Sequence, residues 1–177
     1  MKSLADKVSE LGGKLAPPAS EDQIANLEAK LGYTIPTELR TYLSKHNGCS
    51  EETDEAIWNF WPCAKISSYG DYRDEDEFLP DNNWLRMIDP SAREIKLPAS
   101  RVILFADSLI EAPTYGLYHS PGCRFDGIVF DTTYGSISAL SLGYWLDDFI
   151  DHGEEGLLLY NNEETEQGGD GDAEEAV

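Results

Sequence analysis

Apolar residues recur at helical spacing in three stretches of the first 47 residues. These stretches contain Leu4, Val8, Leu11 and Leu15; Ile24, Leu27 and Leu31; and Leu39, Tyr42, Leu43 and His46. Residues three or four positions apart lie on the same face of a helix, so each set would form one buried stripe. The pattern therefore predicts three amphipathic helices in this part of the chain.

The residues between these stretches predict where the helices begin and end. Ser20, with a glutamine three positions later, forms a capping box in which each side chain bonds the backbone N–H of the other residue. Gly32 and the pair Asn47-Gly48 tolerate the left-handed backbone that ends many helices. Pro36 suits the first turn of the third helix, because an N–H at that position would have no helical partner.

Shorter apolar runs follow from residue 56 onwards. Residues 56–66 are rich in aromatic side chains and predict a strand that enters the core. Residues 84–88 have apolar positions near helical spacing and predict a short helix. Four β-branched and aromatic runs, separated by Pro, Gly and Asp, predict a β meander over residues 101–142. Several of these runs alternate apolar with polar residues, so one face of the sheet is expected to contact solvent.

A final amphipathic run predicts a C-terminal helix that ends near Gly153. The residues expected on its inner face are Tyr144, Trp145, Phe149 and Ile150. The residues expected on its outer face are Asp147, Asp148 and Asp151. The tryptophans expected in the core are Trp58, Trp61, Trp84 and Trp145. The expected fold class is α+β, with N-terminal helices packed on a mixed, largely antiparallel β-sheet and a C-terminal helix.

The net negative charge of the chain limits the kinds of partner that it can bind. The chain has 34 acidic and 13 basic residues, a formal charge of −21. Residues 161–177 hold seven acids and no base, and too few apolar side chains to offset the entropy lost on ordering. We therefore predict a single domain over residues 1–160 and a disordered acidic tail over residues 161–177. Without the tail's −7, the predicted domain still carries −14 (−21 minus −7).

Such a charge excludes some functions and favours others. A nucleic-acid binder needs a positive surface to displace the counterions of the phosphates, so nucleic acid is not an expected partner. A basic protein would instead be attracted over long range. No apolar run is long enough to span a membrane, and the charged N-terminal stretch does not resemble a signal peptide. The cytoplasm is the expected compartment, and a protein is the expected partner.

No metal or redox site is predicted. The three cysteines are Cys49, Cys63 and Cys123. They cannot all pair with one another and none lies in a CxxC spacing, which favours reduced thiols. His46 and His119 each precede a cysteine, but at spacings that match no common zinc-binding pair. The acidic stretch 71–78 lacks the glycine and the glutamate that an EF-hand loop requires.

No catalytic constellation is predicted either. Asp147 and Asp148 are adjacent, and adjacent side chains on a helix point about 100° apart, so they do not form an acid–base pair. The sequence has no phosphate-binding glycine loop and no nucleophile elbow. We therefore expect no catalytic residue and no cofactor.

The stretch from Pro18 to Gly48 resembles the SUKH superfamily, which includes yeast cell-wall-synthesis regulators and many bacterial immunity proteins. The residues that carry the resemblance are Glu28, Leu31 and Gly32; Ile35 and Pro36; Leu39 and Arg40; Tyr42 and Leu43; and Asn47 and Gly48. The later strand-like runs and the "LDDFIDHG" helix are similar to the second half of that family, so the resemblance covers residues 18–153. It implies an α+β fold and a non-enzymatic binding role, commonly against a cognate toxin.

These observations lead to a ranked set of functional hypotheses. The first is an immunity protein that neutralises a basic, nuclease-type toxin; the alternative is a regulatory scaffold of the cell-wall-regulator type that binds a host enzyme. A third class, an enzyme or small-ligand module, would need a pocket with convergent reactive side chains. The residues predicted to contact the partner are Asp74, Glu75, Asp76 and Glu77, and then Asp147, Asp148 and Asp151.

Overall fold

The computed structural model describes residues 2–50, 58–72, 84–88, 94–108 and 113–153. Its α-helices are α1 (Leu4–Glu10), α2 (Glu21–Leu31), α3 (Thr37–Leu43) and α4 (Leu142–His152), and a 3-10 helix spans Ala99–Arg101. Its strands are β1 (Trp58–Phe60), β2 (Ser67–Ser68), β3 (Trp84–Ile88), β4 (Glu94–Pro98), β5 (Val102–Ser108), β6 (Thr114–Tyr118), β7 (Val129–Asp131) and β8 (Ser136–Ala139). The α+β fold class is confirmed.

The strands form one sheet of six and one separate hairpin. In the large sheet the order is β1-β5-β6-β7-β8, and β2 also pairs with β5. Strands β1 and β2 lie one after the other along one edge of β5, opposite its C-terminal and central residues. Among the described strands, β3 and β4 pair only with each other. Every described pair is antiparallel, and β5 to β8 form the predicted meander.

The predicted helix over residues 84–88 is wrong, because these residues form β3. Leu85 lies opposite Leu97 of β4 and both side chains are buried, while the next residue, Arg86, is exposed. A five-residue apolar run fits a helix and a strand equally well, and the pairing with β4 decides between them. Trp84 is 47% exposed at the start of this strand, so the prediction that it belongs to the core is also wrong.

The prediction of one solvent-exposed sheet face fails for the central strands. Six of the seven residues of β5 and all three residues of β7 are buried, so both faces of these strands are covered. Helix α4 contributes Trp145 and Phe149 to the core. The hairpin β3–β4, which contacts the 3-10 helix and β8, adds Leu85 and Leu97 to the same core.

Aromatic side chains fill the layer between α4 and the sheet. The Trp145 ring is fully buried, and its centroid lies 5.1 Å from that of Tyr115 and 5.2 Å from that of Phe105. Trp58 stacks on Tyr115 at 5.3 Å and meets Phe149 edge-on at 5.0 Å. Edge-on and offset pairs of this kind add to the stabilisation from burial alone. Trp58, Trp61 and Trp145 therefore lie in the core as predicted.

Helix boundaries follow the sequence signals at α2. Ser20 Oγ accepts the Gln23 N–H at 3.2 Å, and Gln23 Oε1 accepts the Ser20 N–H at 2.9 Å. Gly32 follows the helix with φ 78°, in the left-handed region. The predicted capping box and helix end are both confirmed.

The boundaries of α1 and α3 differ from the prediction. Helix α1 ends at Glu10, and Leu15 instead forms a β-bridge with Cys49. Pro36 is the N-cap of α3 rather than a residue of its first turn. Helix α3 ends at Leu43, well before Asn47, so Asn47 and the glycine after it do not cap it directly. The Asn47 side chain accepts the Cys63 N–H at 2.8 Å, so this residue joins the helical layer to the loop after β1.

The predicted strand over residues 56–66 is shorter than expected. Strand β1 ends at Phe60, and the Ile66 N–H bonds the Pro62 carbonyl in a turn before β2. Residues 51–57, 73–83 and 154–177 lie outside the described residues, so the disordered tail stays a prediction. In the part of the chain that the structure describes, no helix is long and apolar enough to cross a membrane.

The turn between β7 and β8 leads to a pH-dependent prediction. Asp131 is buried, and its Oδ1 accepts the N–H groups of Thr133 at 2.9 Å and Tyr134 at 3.2 Å. Burial raises the pKa of Asp131 above its ordinary 3.8, although both hydrogen bonds oppose the rise. A group with a raised pKa in the folded state contributes stability below its unfolded pKa, and loses that contribution as the pH rises through its folded pKa.

Asp131→Asn keeps the acceptor oxygen and removes the charge. As the pH rises from 4 to 7, we expect the free energy of unfolding to fall less for this variant than for the parent chain. Asp131→Ala leaves two N–H groups without their acceptor and is expected to cost about 1–3 kcal/mol at both pH values. Urea unfolding of the three proteins at each pH measures both effects. Equal pH dependence of the asparagine variant and the parent would show that Asp131 does not titrate as described.

Candidate partner-binding surface

The first predicted acidic patch lies outside the described residues, and the second lies on α4. Asp147 and Asp151 are exposed, whereas Asp148 is half-buried. Residues 74–77 fall in the undescribed segment 73–83. The structure therefore places only Asp147, Asp148 and Asp151 on a defined surface.

Helix α4 holds its acidic residues outward because its opposite side is anchored in the core. Leu142, Trp145 and Phe149 are buried on the inner side. Ser141 Oγ accepts the Tyr144 N–H at 3.2 Å, and Glu38 Oε2 accepts the Leu142 N–H at 3.0 Å, so the start of α4 is tied to α3. These contacts fix the rotation of the helix about its axis.

Tyr144 is on the outer side of α4, and the prediction that it faces inward is wrong. Its side chain is 67% exposed, and Leu140, just before the helix, is 59% exposed. Tyr144, Asp147 and Asp151 are spaced three and four residues apart and so share one face. We call Tyr144, Asp147, Asp148 and Asp151 the α4 outer face. It combines one aromatic side chain with three carboxylates, and aromatic residues are frequent anchors of protein interfaces.

Most of the negative charge belongs to segments outside the described residues. The described residues contain 14 acids and 11 bases, a net charge of −3. The remaining residues therefore hold 20 acids (34 minus 14) and two bases (13 minus 11), a net charge of −18. Segments 51–57 and 73–83 carry −4 each, and segment 154–177 carries −9. The −14 assigned above to residues 1–160 thus comes mainly from segments that join the described elements.

Several acids of the described residues have structural roles instead. Arg40 pairs with Glu28 at 2.8 Å and with Glu21 at 3.1 Å, which joins α3 to α2. Asp107 accepts a short hydrogen bond from the Trp61 indole N–H and pairs with Lys65 at 3.1 Å. Sequence reasoning missed both networks, since the partners of each are far apart in the chain. These carboxylates are already used inside the fold and are poor candidates for partner contacts.

The histidines and cysteines do not assemble a reactive centre in the described part of the chain. All three cysteines are free, and burial raises the thiol pKa of Cys49 and Cys63, which disfavours the reactive thiolate. Burial lowers the pKa of His46, which disfavours its charged form. Among the described residues, no group of three or more His, Cys, Asp or Glu side chains could hold a metal ion.

A second polar surface, which sequence reasoning missed, lies where β5 begins and β6 ends. The Arg101 guanidinium lies over the Tyr33 ring at 4.7 Å, and the Tyr33 hydroxyl donates to the Ser100 carbonyl at 3.0 Å. The His119 ring is 5.9 Å from the Tyr33 ring, and its Nδ1 is 3.0 Å from Asp126 Oδ1. We call Tyr33, Arg101 and His119 the Arg101 patch. No local sequence signal connects residues 68 positions apart.

The described residues define an α+β domain whose exposed features suit contact with another protein. Over residues 18–148 the chain matches the SMI1 / KNR4 family (SUKH-1), and it belongs to this family. Membership fits an immunity or a regulatory role; SUKH proteins bind protein partners and are generally non-enzymatic. No curated protein matches the chain closely enough to be named as a relative.

Proposed function

We propose that this protein is an immunity protein that binds and neutralises a cognate bacterial toxin with a basic, nuclease-type surface. The observation that carries the proposal is the combination of the SUKH-1 match with the net charge of −21. A toxin that acts on nucleic acid needs Lys and Arg side chains to hold phosphates. An acidic protein can cover the same side chains and so block the toxin.

We expect the toxin to bind in two steps, a long-range attraction and then a local contact. The acidic segments attract a basic protein over long range and raise the rate of encounter. The α4 outer face then offers a defined contact, with Tyr144 as an aromatic anchor and the carboxylates of Asp147 and Asp151 beside it. Steering acts mainly on the association rate, whereas local contacts act mainly on the dissociation rate.

A regulatory scaffold that binds a host enzyme is the second candidate. The family that the chain matches is itself named after SMI1 and KNR4, and membership fits regulation as well as immunity. Under this alternative, the partner is an enzyme of the same cell and the protein confers no protection.

Co-expression with the product of the adjacent gene separates the two candidates. We expect that product to arrest growth when expressed alone, and this protein to restore growth and to co-purify with it. Normal growth in the absence of this protein, or failure to form a complex, would contradict the immunity role. Co-purification with a host enzyme, without any protection, would favour the scaffold.

A charge-reversal pair tests whether the α4 outer face touches the partner. Asp147→Lys and Asp22→Lys change the net charge equally, and both positions are exposed, on α4 and α2 respectively. We expect Asp147→Lys to raise the dissociation rate from the toxin about tenfold, and Asp22→Lys to change it less than about twofold. We also expect the association rate of the parent chain to fall about tenfold or more from low to high salt.

Surface plasmon resonance against the co-purified partner measures these rates. Equal effects of the two variants would show that α4 is not the contact surface. An association rate independent of salt would show that charge does not guide the encounter.

A further inference from the structure

Arg101 is held in place before any partner arrives. Its carbonyl accepts the His119 N–H at 2.8 Å, so its backbone is fixed beside β6 at the start of β5. Its guanidinium lies on the Tyr33 ring, and Tyr33 is itself anchored through its hydroxyl to the Ser100 carbonyl. Burial raises the pKa of Tyr33 to about 12, so the phenol stays neutral and keeps that hydrogen bond. An arginine fixed in this way loses little side-chain entropy when it binds a ligand.

Arg101 has no carboxylate partner among the described residues. Arg40, by contrast, pairs with two carboxylates. Two acids near Arg101 already have other hydrogen-bond partners. Asp71 accepts the Ser68 hydroxyl at 2.7 Å, and Asp126 is bonded to His119 of the patch and to the Ser120 N–H. A half-buried guanidinium that is held on an aromatic ring, in a chain with 34 acids, is thus left open to an external anion.

We propose that the Arg101 patch is a binding site for a carboxylate side chain presented by a protein partner. The guanidinium fork matches a carboxylate with two parallel N–H···O hydrogen bonds, and the Tyr33 ring keeps the fork in place. A nucleic acid is a poor occupant because its many phosphates would approach a chain of net charge −21. A single Asp or Glu on a partner that is otherwise basic does not meet that repulsion. This site rests on the basic partner of the proposed function and adds one specific contact to it.

The topology of the large sheet places the Arg101 patch relative to the start of α4. Strand β5 begins at the end of the sheet where β8 finishes, because the strands between them alternate in direction. Three strand spacings separate β5 from β8, which is about 14 Å. Leu140 follows β8 directly and α4 begins at Leu142, so the start of α4 and the Arg101 patch border the same end of the sheet.

The test uses the full chain and two small probes that differ only in charge. N-acetyl-glutamate α-amide carries the carboxylate, and N-acetyl-glutamine α-amide is its neutral analogue. NMR signals of the arginine Nε–H groups report binding at each arginine separately. We expect the glutamate probe to shift the Arg101 signal saturably with a millimolar dissociation constant, and the glutamine probe to bind about tenfold more weakly or not at all.

Variants of the patch show which features matter. Arg101→Lys keeps the charge but loses the fork, and we expect it to weaken the glutamate probe about fivefold. Tyr33→Leu removes the ring under the guanidinium and is expected to weaken it about threefold. Arg124→Gln is the control, and it should leave the affinity unchanged. Arg124 is exposed and lies 4.4 Å from the centre of the Phe125 ring, which has no hydroxyl group to hold it in place.

Four results would overturn the proposal. The first is an equal response to the two probes, and the second is an Arg124 signal that responds as strongly as that of Arg101. The third is tighter binding of inorganic phosphate than of the glutamate probe, which would point to a phosphorylated ligand. The fourth uses a full-length variant with the seven acids of residues 161–177 replaced by amides. A displaced Arg101 signal in this variant before any probe is added would show that the chain's own carboxylates occupy the site.

Discussion

Trp145→Ala is expected to lower the free energy of unfolding by about 4 kcal/mol, the largest loss that we predict for a single side chain here. Trp145 is fully buried, and its ring contacts those of Trp58, Phe60, Phe105, Tyr115 and Phe149. Truncation removes this contact area and leaves a cavity that stiff aromatic neighbours cannot fill. Since domains are stable by only about 5–15 kcal/mol, this loss is a large share of the total.

The neighbouring residue supplies the control. Tyr144 is on the same helix turn, but it is 67% exposed, so Tyr144→Ala is expected to change the unfolding free energy by less than about 0.5 kcal/mol. Urea unfolding followed by far-UV circular dichroism measures both variants without depending on tryptophan fluorescence. Similar losses for the two variants would mean that α4 does not face the sheet as described. The same control variant is also expected to weaken partner binding, which separates stability from recognition on one helix.

Gly48→Ala is the second large effect, expected to cost about 3 kcal/mol or more. Gly48 has φ 72°, and an added Cβ would meet the backbone nitrogen of Pro62, with the carbonyl carbon of Trp61 at 2.5 Å. These neighbours are backbone atoms of the segment that follows β1, so they cannot move aside as a flexible side chain could. The variant therefore combines left-handed backbone strain with a collision inside the fold.

Gly32→Ala measures the cost of the left-handed backbone without any steric collision. Gly32 has φ 78°, and no atom lies within 4 Å of the position that its Cβ would take. We expect this variant to cost only about 1 kcal/mol, because the left-handed conformation is its sole penalty. Thermal and urea unfolding of the two alanine variants measures the difference. If Gly32→Ala proved as costly as Gly48→Ala, close packing at Gly48 would not be the reason for its glycine.

Local sequence patterns predicted only part of the candidate surface. The sequence correctly placed the carboxylates of Asp147 and Asp151 on the outside of a helix, since their spacing relative to Trp145 and Phe149 is a local property. It placed Tyr144 inside, because an aromatic residue beside a buried stripe looks apolar enough to belong to it. It did not indicate the Arg101 patch, whose members come from a helix turn, a 3-10 helix and a strand end.

The caps of α2, the meander and the family could be predicted from the sequence alone, because all of them depend on residues a few positions apart. Ser20 with its capping partner and Gly32 with its positive φ act through their immediate neighbours, and the structure has both as predicted. Only the tertiary structure decided that residues 84–88 form a strand and that Gly48 faces the backbone after β1. It alone placed Arg101 on Tyr33. These outcomes depend on contacts between segments that are distant in the chain, and local periodicity does not predict such contacts.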